Sequence, residues 1–235
     1  MQKLASTIPG SVVTSTENLA SRSLSSSLIE DSSGNGRHGR AGGGPKYRSV
    51  NLPGSNLALA FDGHDDRVAV PDAPIFHLTK SFTLEAYIEI DRSPESPPAL
   101  SQIVFRGDNR PWFDPWFLAI TKSRRLRFLV ADALSNTSIL HSPEPLPTGK
   151  LVHVAATLDD QTGEQSSFVH GKRVATIRTE IRACGAHEGP GAGIGIGNRQ
   201  SPSNEAFAGT IDEVRICAAA LSPSQFLPPV KARES

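Results

Sequence analysis

The chain has 235 residues, 24 basic against 24 acidic side chains, and 37% hydrophobic residues. A balanced charge with no basic stripe excludes an electrostatic nucleic-acid binder, and no apolar run approaches the ~18 residues that would span a membrane as a helix. With 20 glycines and 18 prolines the chain is rich in turns, and 235 residues suffice for one large all-β domain with its own core.

Residues 1–26 are rich in Ser and Thr and sustain no hydrophobic period. They read as a loosely docked arm ahead of a domain over 27–226. No apolar leader segment is visible there. Residues 31–45 read as a glycine-dense loop, able to wrap closely around something. From residue 57 onward short alternating runs follow one another. In the run from Phe82 to Ile90, Phe82, Leu84, Ala86, Ile88 and Ile90 share one face, while Thr83, Glu85, Tyr87 and Glu89 share the other. This predicts a strand buried on one side only. Similar runs lie at 102–105, 117–120, 126–130, 151–158, 167–169, 174–177, 194–196 and 210–216. Short, regularly spaced strands without long helical segments between them predict a two-sheet antiparallel β-sandwich of jelly-roll type.

In the last run Ile211, Val214 and Ile216 break strict alternation. That predicts a β-bulge at Asp212–Glu213, which would aim Asp212 away from the regular ladder. A short helix is expected at 221–226, with Ser222 as its cap and Pro223 in its first turn, followed by a tail at 227–235. The two cysteines, Cys184 and Cys217, match no zinc spacing, and they are compatible either with one bridge or with two thiols.

Several segments, in order, resemble the laminin-G-like jelly rolls of the concanavalin A-like lectin/glucanase superfamily. They are Asp31-Ser-Ser-Gly-Asn-Gly-Arg-His-Gly39, the run 58–71 around Phe61-Asp-Gly63, Phe82-Thr-Leu-Glu-Ala-Tyr87, the run 146–159 around His153-Val-Ala155, and Phe207-Ala-Gly-Thr-Ile-Asp-Glu-Val-Arg-Ile216. Together they cover about residues 28–226. The family usually has Trp ahead of His-Val-Ala, where Leu151 and Val152 stand here, and Tyr where this chain has Cys217.

The resemblance implies a structural calcium ion held by Asp31, Gly63 and Asp212, since Ca²⁺ takes six to eight oxygen ligands from carboxylates, carbonyls and water. The competing reading has Asp31 and Asp62 capping turns through their own backbone. The resemblance also implies glycan or glycoprotein recognition, as an adhesion or targeting module outside the cell or at its surface. Both tryptophans, Trp112 and Trp116, fall in one segment. Trp116 is expected in the core with Leu118 and Ile120. Trp112 is the candidate stacking surface for a sugar, with Tyr87, Glu85 and Asp114 supplying hydrogen bonds.

A glycoside hydrolase of the same fold is the alternative, because Glu89 and Asp91 match two of the three carboxylates on a catalytic glucanase strand. Glu95 falls beyond Pro94, too far along for the third. An interaction module without sugar affinity is the other alternative. Arg106-Gly-Asp108 reads as turn chemistry, Asn136-Thr-Ser138 as a glycosylation sequon, and the basic cluster Lys122, Arg124, Arg125 and Arg127 as a solvated hairpin rim.

Overall fold

A computed structural model describes residues 12–14, 28–52, 55–91, 98–107, 114–185, 193–201 and 203–230. Alternating apolar residues fold into sixteen strands: β1 (Val12–Thr14), β2 (Leu28–Ile29), β3 (Gly39–Gly42), β4 (Lys46–Leu52), β5 (Ser55–Asp62), β6 (Arg67–Val70), β7 (Phe82–Ile90), β8 (Leu100–Arg106), β9 (Trp116–Thr121), β10 (Leu126–Ala131), β11 (Thr137–His141), β12 (Leu151–Leu158), β13 (Glu164–Val169), β14 (Lys172–Arg178), β15 (Ile194–Ile196) and β16 (Ala208–Cys217). Two eight-stranded sheets result. The first runs β14-β13-β12-β7-β16-β5-β4, with β1 also pairing β16; the second runs β11-β10-β9-β8-β15-β6-β3-β2. All strand pairs are antiparallel, as expected of a jelly-roll sandwich.

The core lies between the inward faces. Phe82, Leu84, Ala86 and Ile88 of β7 meet Trp116, Leu118 and Ile120 of β9 and Phe128 of β10. Phe82 stands edge-on to Phe128 at 5.7 Å between ring centroids. Trp116 is fully buried, as its alternation with Leu118 and Ile120 predicts. No helix among the described residues is long and apolar enough to cross a membrane.

The predicted bulge is present. The register between β16 and β7 shifts between Asp212 and Arg215, and Glu213 takes a positive φ of 49°. Elsewhere local reading fell short. Part of the glycine-dense segment is strand β3, paired to β6. A Cβ on Gly39 would come within 2.5 Å of Val68 Cγ1, so that glycine permits close strand packing rather than loop freedom. The expected helix is a single 3-10 turn, Pro223–Gln225, with Ser222 and Gln225 forming the capping box. Strand β1 falls within the Ser-rich arm and pairs with the C-terminal half of β16, beyond the stretch that β5 pairs.

Candidate functional site

Three places gather polar chemistry, and the sequence-derived residues divide among them. The first is the outward face of the first sheet. Alternation points Thr83, Glu85 and Tyr87 away from the core, yet all three are fully buried. The segment after β16 folds back over them. Phe226 packs edge-on against Phe168 at 5.0 Å, beside Cys217 and Leu221. Thr83 donates to the Ala219 carbonyl and Tyr87 to that of Pro228. Burial and the nearby Glu213 and Glu85 hold the Tyr87 phenol well above its usual range.

The Glu85 carboxylate is a hub. It accepts from Arg215 Nε at 2.6 Å and from Arg215 Nη2, from the Leu227 N–H at 2.8 Å, and lies 2.8 Å from His153 Nε2. The sequence offers Glu85 and Tyr87 as ligand contacts, and in the fold every polar atom they present is engaged by the chain itself. Glu89, farther along the same face, pairs with Arg48 at 3.0 Å. Glu95 and Trp112 lie outside the described residues.

The second place is the outward face of the second sheet, where Asp114 sits. Alternation in β8 to β11 sends Phe105, Phe117, Ala119, Leu129 and Ala131 outward as a small apolar cluster. Cross-strand pairing sets Leu129 between Phe117 and Ile139, and Arg127 between Ala119 and His141. The Arg127 guanidinium lies over the Phe117 ring at 5.7 Å, and Arg199 lies over Phe105 at 5.1 Å. Arg199 is itself held by Glu205 through contacts of 2.8 and 3.1 Å, and Gln102 donates to the same carboxylate at 2.6 Å.

Phe117, Arg127, Leu129, Arg199 and Glu205, with Asp114 and Thr137 among others, line a cavity of about 280 Å³. Asp114 Oδ1 and Arg127 Nε are enclosed there without a hydrogen-bond partner among the described residues. Burial raises the Asp114 carboxyl above its usual range, and Arg199 partly offsets this. The structure thus places Asp114 across the sandwich from Glu85 and Tyr87. Arg127, Arg199, Glu205 and Phe117 were not singled out as binding residues by sequence. Outward alternation is a signal for Phe117 and Arg127. Arg199 and Glu205 come from the loop after β15 and carry no local signal.

The third place is the turn between β5 and β6. The carboxylates of Asp62, Asp65 and Asp66 have ligand atoms within 4.8 Å of one another, and among the described residues they form the one such group of three or more. All are hard oxygen donors, so the turn could hold a metal. Burial raises the Asp66 carboxyl, with Asp62 and Asp65 adding repulsion. Gly63 lies in the same turn at φ +82°, where a Cβ would come within 2.9 Å of Ala208 Cβ. Asp62 accepts the His64 N–H at 2.8 Å, which is the Asx turn of the competing reading. Asp31 likewise accepts from the backbone of Ser33 and Arg37, at 2.9 and 2.8 Å. Asp212 and Ile29, two residues ahead of Asp31, line one small cavity of about 20 Å³, so the opening segment does meet the bulge of β16.

The cysteines are separate thiols. Cys217 is buried and pushed up to about 11 by that burial, and Cys184 is half-buried.

A family model described as the concanavalin A-like lectin/glucanases superfamily matches residues 62–226. No curated protein sequence matches the chain. Among solved structures, the binding domain of Paraclostridial Mosquitocidal Protein 1 is similar at a TM-score of 0.68 and 13% identity, over 91% of this chain and 49% of that one. The binding domain of Botulinum Neurotoxin DC, solved in complex with SialylT, is similar at 0.65 and 15%, over 91% and 49%. Trypanosoma rangeli sialidase in complex with the inhibitor DANA is similar at 0.61 and 19%, over 92% and 31%. The chain therefore spans half or less of each of these relatives, and the likeness is one of fold.

Proposed function

This chain belongs to the laminin-G-type family of the concanavalin A-like lectin/glucanases superfamily, and from that footing we propose that it is a non-catalytic recognition module for glycans or glycoproteins, acting in adhesion or targeting outside the cell or at its surface. The observation that carries the reading is the cavity over β8 to β11. It combines an apolar, aromatic floor with a few convergent polar groups, which is the usual make-up of a small-ligand site. Its volume is near the lower end of the ~300–1,000 Å³ range of such sites and suits one or two sugar rings. Over Glu85 and Tyr87 the outward face of the first sheet is closed by the chain itself, and the cavity of about 330 Å³ beside them is lined by His153, His170 and Phe226 rather than by either residue.

A calcium ion belongs to the same proposal, as structural support rather than as part of the ligand site. The resemblance points to Asp31, Gly63 and Asp212, and the convergent carboxylates are Asp62, Asp65 and Asp66. Gly63, common to the first set and to the turn that carries the three carboxylates, is what we take as the centre of the ion site. A hard dication there would relieve the repulsion among three clustered carboxylates.

The test is a glycan array probed with the wild-type chain, with Trp112→Ala and with Thr137→Trp. Thr137 is exposed on β11 at the cavity rim, so an indole there fills the mouth without disturbing the core. Binding by the wild type that is lost in Thr137→Trp supports the site. Binding that survives the substitution unchanged moves it elsewhere, and an array on which nothing binds overturns the glycan reading.

A further inference from the structure

The cavity over β8 to β11 is lined by charges of both signs. Its two acidic groups are not equivalent. Glu205 has both oxygens engaged, by Arg199 and Gln102, so that pair is internally neutral. Asp114 feels the charges of that pair and has an enclosed oxygen with no partner among the described residues.

Of the two cations that line the cavity, Arg127 is the unpaired one. Arg127 has no carboxylate in ion-pair range among the described residues, and its enclosed Nε has no acceptor. Every titratable group facing Arg127 from the neighbouring strands adds to this imbalance or leaves it uncorrected. His141, its cross-strand partner on β11, is held below its usual range by burial and by the positive charges of Arg127 and Arg125. Glu205 attracts Arg127 without forming an ion pair with it among the described residues. On β9 the partner is Ala119, which carries no charge.

A half-buried guanidinium lying over an aromatic ring without a carboxylate partner calls for an anionic acceptor, and its planar fork matches a carboxylate in particular. The unpaired acid limits how much negative charge can enter, since Asp114 would repel a polyanion. One carboxylate on an otherwise neutral, hydroxyl-rich ring suits both Arg127 and Asp114. Resting on the glycan reading above, we propose that the ligand is a sugar bearing a single carboxylate, with that carboxylate on Arg127, ring hydroxyls toward Asp114, and the apolar ring face toward Phe117 and Leu129.

The experiment uses a glycan array of matched neutral, sialylated, uronic-acid-bearing and sulfated members, probed with wild type, Arg127→Lys and Arg127→Gln, each checked for an unchanged melting transition. The expected result is preferential binding of the carboxylated members that falls about tenfold or more in Arg127→Gln. Arg127→Lys should fall between the two, because it keeps the charge and loses the fork. The preference should also weaken as salt is raised. Binding led by neutral or by sulfated members, or carboxylate binding indifferent to Arg127→Gln, overturns this inference and leaves the glycan reading standing. An array that stays silent for the folded wild type overturns both.

Discussion

Glu85 illustrates how far one side chain can depart from what its neighbours in sequence suggest. Alternation puts it on the outward face of β7, and that is correct. Its burial comes from Arg215 and Leu227, 130 and 142 residues away, and no local pattern reports them. A carboxylate in this position is costly to desolvate and repays the cost only while its partners remain. Removing it strands Arg215 and leaves His153 and the Leu227 N–H without their acceptor. Glu85→Ala is therefore expected to lower unfolding stability by about 3–5 kcal/mol, read from the urea midpoint. Glu85→Gln keeps the shape and one acceptor oxygen, and should cost less. Equal stability of Glu85→Ala and wild type would contradict the hub described here.

At the level of elements, the strand-forming runs of the domain were legible because their apolar residues recur every second position. The bulge in β16 was legible because that rule fails at one place, between Ile211 and Val214. The segment after β16 was not legible. Its sequence reads as a short helix at 221–226 and a tail from 227, whereas its residues serve as a strap across β7, β12 and β16. Phe226, Leu227 and Pro228 have meaning only against Phe168, Glu85 and Tyr87. The strap can be tested through a single donor. Phe226 already lies at φ −66°, ψ 167°, the extended region that a following proline requires. Leu227→Pro removes the N–H that Glu85 accepts. It should cost about 1.5–3 kcal/mol beyond the effect of Leu227→Ala, which loses the side chain and keeps the donor. The difference between the two urea midpoints isolates the backbone bond.

For the whole molecule, the two eight-stranded sheets were readable as a sandwich, and the ordered segments pointed to the family whose model matches residues 62–226. The candidate site was readable only in part. Asp114 lies in it, but Arg199 and Glu205 reach it through a loop whose position depends on β15 pairing with both β6 and β8. The ion site tests a property of the entire fold, because the turn around Gly63 joins β5 of one sheet to β6 of the other. An ion bound there in the native state alone stabilises the whole domain by mass action. At a hundredfold excess over Kd the gain is about 2.7 kcal/mol. For a domain of this size that corresponds to on the order of 5–10 °C in Tm. Calcium should therefore raise Tm over a chelator-treated sample, and Asp65→Asn should abolish most of the difference. Asp65 is exposed, so its replacement leaves the core untouched and reports on the ion rather than on packing. If Asp31→Asn removes the calcium response while Asp65→Asn keeps it, the ion lies with the opening segment instead. A melting curve indifferent to chelation in the wild type ends the calcium proposal and leaves the cavity over β8 to β11 unaffected, since none of the three carboxylates lines it.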